Sequence, residues 1–201
     1  MTSTEPTNAG LPPVDGLVLM GGLSTRMGTD KSELAYHGQP QRDYLTALLQ
    51  PFCRQVYWSV NAEQAATLPP GGPPRLIDVV SERPGPLNGM LSAVAHDPTC
   101  AWLVVACDMP LLSARSFDAL LAGRRSETIA TAFYDTDGRY PEPLLCLWEP
   151  GSGPVLQAAF ASGMVSPRKI LMMNAVTLLP PPDPRELTNI NSPDERSQLG
   201  F

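Results

Sequence analysis

The residues able to do chemistry appear first in Leu17-Val18-Leu19-Met20-Gly21-Gly22-Leu23-Ser24-Thr25-Arg26-Met27-Gly28-Thr29-Asp30-Lys31. Adjacent glycines let backbone N–H groups approach an anion with no Cβ in the way. Arg26 and Lys31, five residues apart, add charge and donors for phosphate oxygens. The pattern is neither a P-loop nor the G-x-G-x-x-G of dinucleotide sites; a plain glycine turn between strand and helix is its structural alternative. Asp108 follows the most strand-like run, Trp102 to Cys107. A carboxylate there suits Mg²⁺, a hard ion whose shell phosphates complete; its structural use would be to cap the following turn. Asp78 has the same position after another short strand, open as a second metal ligand, a nucleotide contact or a loop cap. In Asn189-Ile190-Asn191 two amides point the same way if the chain is extended. They would hold a substrate's polar groups, or do ordinary turn and cap work. His37 and His96 have no partners at metal or catalytic spacing and read as surface residues.

These residues need elements to position them. Strands are expected over 16–20, 56–60, 75–78, 102–107, 128–133, 144–148 and 175–179, with a short strand and turn in 33–41. Helices are expected over 43–52, 61–67, from Gly85-Pro86 through Val94, 113–121 with Ser113 as N-cap, 153–162 and 167–173. Ser192-Pro193-Asp194-Glu195 reads as a further helix start with its own capping box. Strands alternating with helices predict an α/β fold, Rossmann-like, in three α/β/α layers around a mostly parallel sheet. Ligands of such sheets bind beyond the carboxyl ends of the strands. Gly21, Gly22, Asn61, Asp78 and Asp108 all fall there.

Length and composition set the outer limits. With 201 residues the chain makes one domain over 14–201, preceded by a loose polar tail over 1–13. The balance is acidic, 14 Lys plus Arg against 20 Asp plus Glu, which argues against a nucleic-acid coat but not against a small anionic substrate. Four scattered cysteines with no C-x-x-C pair read as reduced core thiols of a cytoplasmic protein. No signal peptide is visible, and no apolar run nears the ~20 residues of a membrane span. Met20, Met90, Met164, Met172 and Met173 read as core filler.

Several segments together resemble one family, the nucleotidyltransferases of the molybdenum cofactor guanylyltransferase type. They are Leu19-Met20-Gly21-Gly22-x-x-x-Arg26-Met27-Gly28-x-Asp30-Lys31, Gly85-Pro86-Leu87-x-Gly89, Cys107-Asp108-Met109-Pro110 and Asn189-Ile190-Asn191-Ser192-Pro193-Asp194-Glu195. They occur in the family's order, over roughly residues 14–200. The first loop alone indicates only the broader nucleoside-triphosphate transferases; the Asn-x-Asn-Ser-Pro ending narrows it to the molybdopterin branch.

The resemblance implies transfer of GMP from GTP to the phosphate of molybdopterin, with Mg²⁺ (or Mn²⁺) as cofactor, pyrophosphate as product and other molybdenum cofactor biosynthesis proteins as partners. It implies that Leu19, Met20, Gly21, Gly22 and Gly85 line the nucleotide. Arg26 and Lys31 would hold phosphates and, with the metal ligand Asp108, form the catalytic set. Asn61 and Asp78 would contact the nucleoside, and Asn189, Asn191 and Arg168 would face the acceptor. Departures are Met20 where the family usually has Ala, Asn88 in place of a small residue, and Glu142 where many members have Gln or His before Pro143. The alternatives are a cytidylyltransferase of molybdopterin, a sugar-phosphate or other small-molecule nucleotidyltransferase, and a nucleotide-binding regulatory domain without turnover.

Overall fold

A computed structural model describes residues 10–20, 31–78, 85–190, 195 and 197. Its short β-branched and apolar runs become strands, and the longer periodic segments become helices. The strands are β1 (Val14–Leu19), β2 (Val56–Val60), β3 (Arg75–Ile77), β4 (Ala101–Ala106), β5 (Ala130–Tyr134), β6 (Pro141–Trp148) and β7 (Val176–Leu179). They form one sheet in the order β3-β2-β1-β4-β6-β5-β7. Among the described strands, β6 alone runs antiparallel to its neighbours and the other strand pairings are parallel. The helices are α1 (Gln41–Leu49), α2 (Ala62–Thr67), α3 (Pro86–His96), α4 (Ala114–Ala122), α5 (Ser152–Ala161) and α6 (Pro167–Met172).

The period of two along each strand sorts side chains into two cores. Val18, Leu103, Val105 and Leu145 pack against Leu45 and Leu49 of α1 and Phe117 and Leu120 of α4. Leu17, Leu19, Val104, Ala106 and Cys146 pack on the other face, against Leu87, Met90 and Val94 of α3, Leu156 of α5 and Ile170 of α6. The three-layer α/β/α expectation therefore holds, with the sheet buried on both faces. α3 lies closest to the sheet at Gly89, where a Cβ would sit 2.2 Å from Ser59 Oγ and 2.7 Å from Leu19 Cδ2. Only glycine lets that helix rest on β1 and β2 without shifting a side chain.

Some expectations need correction. β6 begins at Pro141, three residues before the expected start, because it forms a hairpin with β5 across a turn that closes on Gly138 (φ 68°). Its prolines are tolerated because the pairing with β4 reaches only Leu145, leaving the start of β6 without a strand partner on that side among the described residues. Met172 and Met173 are not core filler; they are 55% and 69% exposed. Ser113 does occupy the N-cap of α4, but its hydroxyl donates to Glu186 instead of capping the helix. The expected strand and turn in 33–41 reduces to one bridge, Ala35 to Pro40. Pro12 and Pro13, placed in the tail by the sequence, have carbonyls that accept from Arg124 Nη1 and Ala101 N. The helix start at 192–194 lies outside the described residues. All four cysteines are free; burial pushes the Cys53 and Cys100 thiols up to about 12. No described helix is long and apolar enough to cross a membrane.

Candidate active site

The parallel strands β1, β2, β3 and β4 all end at one edge of the sheet, and antiparallel β6 starts there. A cleft of about 360 Å³ opens at this edge on the α3 side. Its floor is Leu19, Ser59 and Ala106, each from the sheet face that α3 covers. Asn61, Gln64 and Asp78 bound it beyond β2 and β3, Gly85 and Pro86 at the start of α3, and Leu144 on β6. Lys31 and Asp108 also line it. The start of α3 thus faces the cleft, and a helix N-terminus favours an anion. Gly85, at φ 153°, makes the turn into it.

At the centre, Lys31 Nζ donates to Asp108 Oδ2 at 3.5 Å, a long contact. Asp108 is 18% exposed. Burial holds its carboxyl above the ordinary carboxylate range, and Lys31 pulls the other way without cancelling it. Its second oxygen, Oδ1, is buried and meets no donor among the described residues. The chain after Asp108 is fixed from α1 and the turn before it: Gln41 Nε2 donates to the Met109 carbonyl, His37 Nε2 to the Pro110 carbonyl, and Tyr44 OH to the Leu112 carbonyl. His37 also stacks on Tyr44. Lys31 lies in the short 3-10 turn Lys31–Glu33 just ahead of that segment, so cation and carboxylate are held by one framework.

The nucleoside end is built from two strand exits. Ser59 Oγ donates to Asp78 Oδ1 at 3.2 Å, and burial raises the Asp78 carboxyl. Asn61 caps α2 in a reciprocal box: Gln64 N donates to Asn61 Oδ1 and Asn61 N to Gln64 Oε1. This leaves the Asn61 carboxamide oriented at the cleft rim.

The C-terminal segment reaches the same edge by a route that local pattern does not reveal. A 3-10 turn over Pro184–Leu187 buries Glu186, which accepts from Ser113 N, Ser113 Oγ and Ser116 Oγ. Three residues on, Ile190 N donates to the Asp108 carbonyl at 2.8 Å. Asn189 is thereby set beside Asp108, and its Oδ1 is buried with no donor among the described residues.

Of the residues singled out from sequence, Leu19, Lys31, Asn61, Asp78, Gly85 and Asp108 line the cleft. Met20 does not: its side chain lies on the opposite face of β1, 1% exposed within the α1-side core. Alternation along the strand forces this, since Leu19 already faces the cleft, so Met20 can offer a ligand only its backbone. Arg168 lies beyond Leu144, on α6, paired with Glu142 and Asp135. Gly21, Gly22, Arg26 and Asn191 lie outside the described residues. Ser59, Gln64, Ala106 and Leu144 line the cleft and were not singled out; Pro86 and Cys107 line it too, and stood in the quoted motifs without a role of their own. Gln64 had a readable signal, the Asn-x-x-Gln box; Ser59 and Leu144 had none beyond strand alternation.

Comparison with known proteins fits this geometry. A family model described as the MobA-like NTP transferase domain matches residues 16–176. A molybdenum cofactor biosynthesis bifunctional protein of Synechocystis is 35% identical over 93% of this chain, which spans only 54% of that longer protein. A molybdenum cofactor guanylyltransferase of Pseudomonas putida is 34% identical, with 92% of this chain and 96% of that one covered. Among solved structures, molybdopterin-guanine dinucleotide biosynthesis protein A of Archaeoglobus fulgidus superposes with a TM-score of 0.75 at 22% identity, over 92% and 95% of the two chains; this likeness speaks to the fold. With a family model matched over most of its length and its cleft at the sheet edge where that fold binds ligands, the chain belongs to the MobA-like NTP transferases and is a nucleotidyltransferase.

Proposed function

We propose that this chain is a molybdenum cofactor guanylyltransferase, which transfers GMP from GTP to the phosphate of molybdopterin and releases pyrophosphate. The observation that carries the reading is the meeting of Lys31 and Asp108 in the cleft, in a chain 34% identical to the Pseudomonas putida guanylyltransferase over nearly its full length. Residues 14–201 form the single nucleotidyltransferase domain in this reading, working in the cytoplasm.

The acceptor is already an anionic phosphate, so the reaction needs no general base. It needs two anions brought together and an in-line path to leaving pyrophosphate, and positioning plus charge stabilisation supply most of the catalysis. Asn61 and Asp78 address the nucleoside beside Leu19 and Gly85. Lys31 and Arg26 are assigned to phosphate oxygens, and Met20, Gly21 and Gly22 to nucleotide binding. Asn189, Asn191 and Arg168 are assigned to the acceptor. A divalent cation fits the residues present: Asp108 offers a buried, undonated carboxylate oxygen of the hard type that Mg²⁺ prefers. Bound there, Mg²⁺ would neutralise charge developing on the phosphates.

Thermal stabilisation by GTP, CTP, ATP and UTP with Mg²⁺ ranks the bases, because a ligand of the native state alone raises stability by mass action. Incubation with GTP, Mg²⁺ and molybdopterin should then release pyrophosphate and give the guanine dinucleotide. Preferential stabilisation and turnover with CTP would move the chain to the cytidylyl reaction.

A further inference from the structure

β6 carries an acidic residue that the cleft chemistry leaves unused. In the β4–β6 pairing Val105 faces Leu145 and Val104 faces Cys146. Carried past the last pair, the same register sets Glu142 level with Asp108. Glu142 shares the α3-side face of β6 with Leu144, which lines the cleft. It is 3% exposed, a rare state for a carboxylate unless it is held. Two groups hold it. Leu144 N donates to Oε1 at 2.9 Å, and Arg168 Nη2 donates to Oε2 at 3.4 Å. Arg168 Nη1 lies 3.5 Å from Asp135 Oδ2, at the exit of β5. Asp135 is itself fixed, since it accepts from the backbone of Arg139 and Tyr140 in the β5–β6 hairpin.

Arg168 is therefore gripped on two nitrogens by carboxylates from adjacent strands, while its side chain stays 41% exposed. A guanidinium carries five N–H donors in a planar fork, so donors remain for a third anion. We propose that Glu142 is a positioning residue which, with Asp135, fixes the Arg168 guanidinium so that its remaining donors meet the acceptor's phosphate. This rests on the acceptor side assigned above to Arg168. It gives the buried Glu142 a definite task. The buried carboxylate sets the plane of the fork, and the exposed edge of the fork meets the phosphate monoester.

The test measures molybdopterin binding directly, by titrating pterin fluorescence with the protein, beside GTP binding and overall transfer. Glu142→Ala should weaken molybdopterin binding by about tenfold or more, since a misplaced or unpaired charge group loses that much, and leave GTP binding within about twofold. Glu142→Gln should fall between, because its amide puts an NH2, which cannot accept, where one of the two carboxylate oxygens now meets Leu144 N or Arg168. In an Arg168→Ala background, Glu142→Ala should have no further effect on pterin binding. A double-mutant cycle reads that coupling, which a general packing role would not produce. Equal losses for GTP and pterin, or additive losses with Arg168→Ala, would overturn the proposal. Glu142-dependent pterin binding without dinucleotide formation from GTP would sink the guanylyltransferase reading and leave this inference standing. Normal transfer with unchanged pterin binding in Glu142→Ala would do the reverse. A wild-type protein that binds no pterin phosphate removes both.

Discussion

The two ends of β6 each carry a buried glutamate, and they are treated in opposite ways. Just past the strand's end, Glu149 is locked by Arg124 through two parallel bonds, Nε to Oε1 and Nη2 to Oε2, both 2.8 Å. Arg124 also donates to the Pro12 carbonyl. Nearby at the same edge of the sheet, Asp15 takes Nε and Nη2 of Arg54 at 3.0 and 2.7 Å. At the strand's start, Glu142 meets Arg168 at 3.4 Å, and across β4 Asp108 meets Lys31 at 3.5 Å. Asp108 Oδ1 and Asn189 Oδ1 are buried there without donors among the described residues. Both edges pair carboxylates with cations, Arg124 and Arg54 at the first, Arg168 and Lys31 at the second. One edge closes its ion pairs with short bidentate geometry; the other keeps them long and, among the described residues, leaves a carboxylate and an amide oxygen undonated. A fold that wanted stability alone would close both. In the proposed function, the unclosed edge is where a cation and two anionic substrates have something left to bind.

The contrast is broken most directly from the closed side. Arg124→Ala leaves Glu149 charged, buried and unpaired, which costs about 3–5 kcal/mol. Urea denaturation should show that loss, while the specific activity of the protein still folded stays near wild type. A change under about 1 kcal/mol would mean the pair is not what closes that edge. From the open side, Asp108→Ala should lower transfer by about 10²–10³-fold, the usual effect of removing one group that stabilises developing charge. Its melting temperature should not fall. Undiminished activity in that variant removes Asp108 from the mechanism.

Much of this edge was legible in the sequence, and the reason is topological. Once strands alternate with helices, the residue after each strand lands at one edge, so Asn61, Asp78 and Asp108 were placed together before any distance was known. Strand direction was less legible. Alternation reads the same both ways along a strand, and Pro141 and Pro143 disguised the start of β6. The Asp137-Gly138 turn was the available sign of a hairpin. Met20 was drawn toward the nucleotide by its neighbours in sequence, but period two sends its side chain to the other core. Glu186 had no local sign at all. Its partners Ser113 and Ser116 lie some 70 residues earlier, and only the finished fold brings them to it.

The smallest effect sharpens the comparison furthest, because it separates function from stability at one atom. Burial raises the Asp108 carboxyl above its ordinary range despite Lys31, whereas the unfolded chain titrates near the reference value of about 3.9. A raised native pKa means the folded state holds this proton more tightly than the unfolded state. Stability from this group is then greatest below the unfolded value and is lost as pH rises through the folded one. At neutral pH the ionised Asp108 is a net burden on the fold. Asp108→Asn removes the charge and keeps the shape, so it should raise stability at pH 7 by on the order of 1 kcal/mol, about 2–4 °C in melting temperature. The gain should shrink as pH falls and the wild-type carboxyl takes up its proton. Melting curves of both proteins from pH 4 to 7.5, with a chelator present, read the difference directly. At the closed edge, Glu149→Gln should lower the melting temperature at pH 7, since it leaves the buried Arg124 without its counter-charge. If Asp108→Asn also melts lower at pH 7, the Lys31–Asp108 contact stabilises the fold after all, and the two edges of the sheet differ only in bond length.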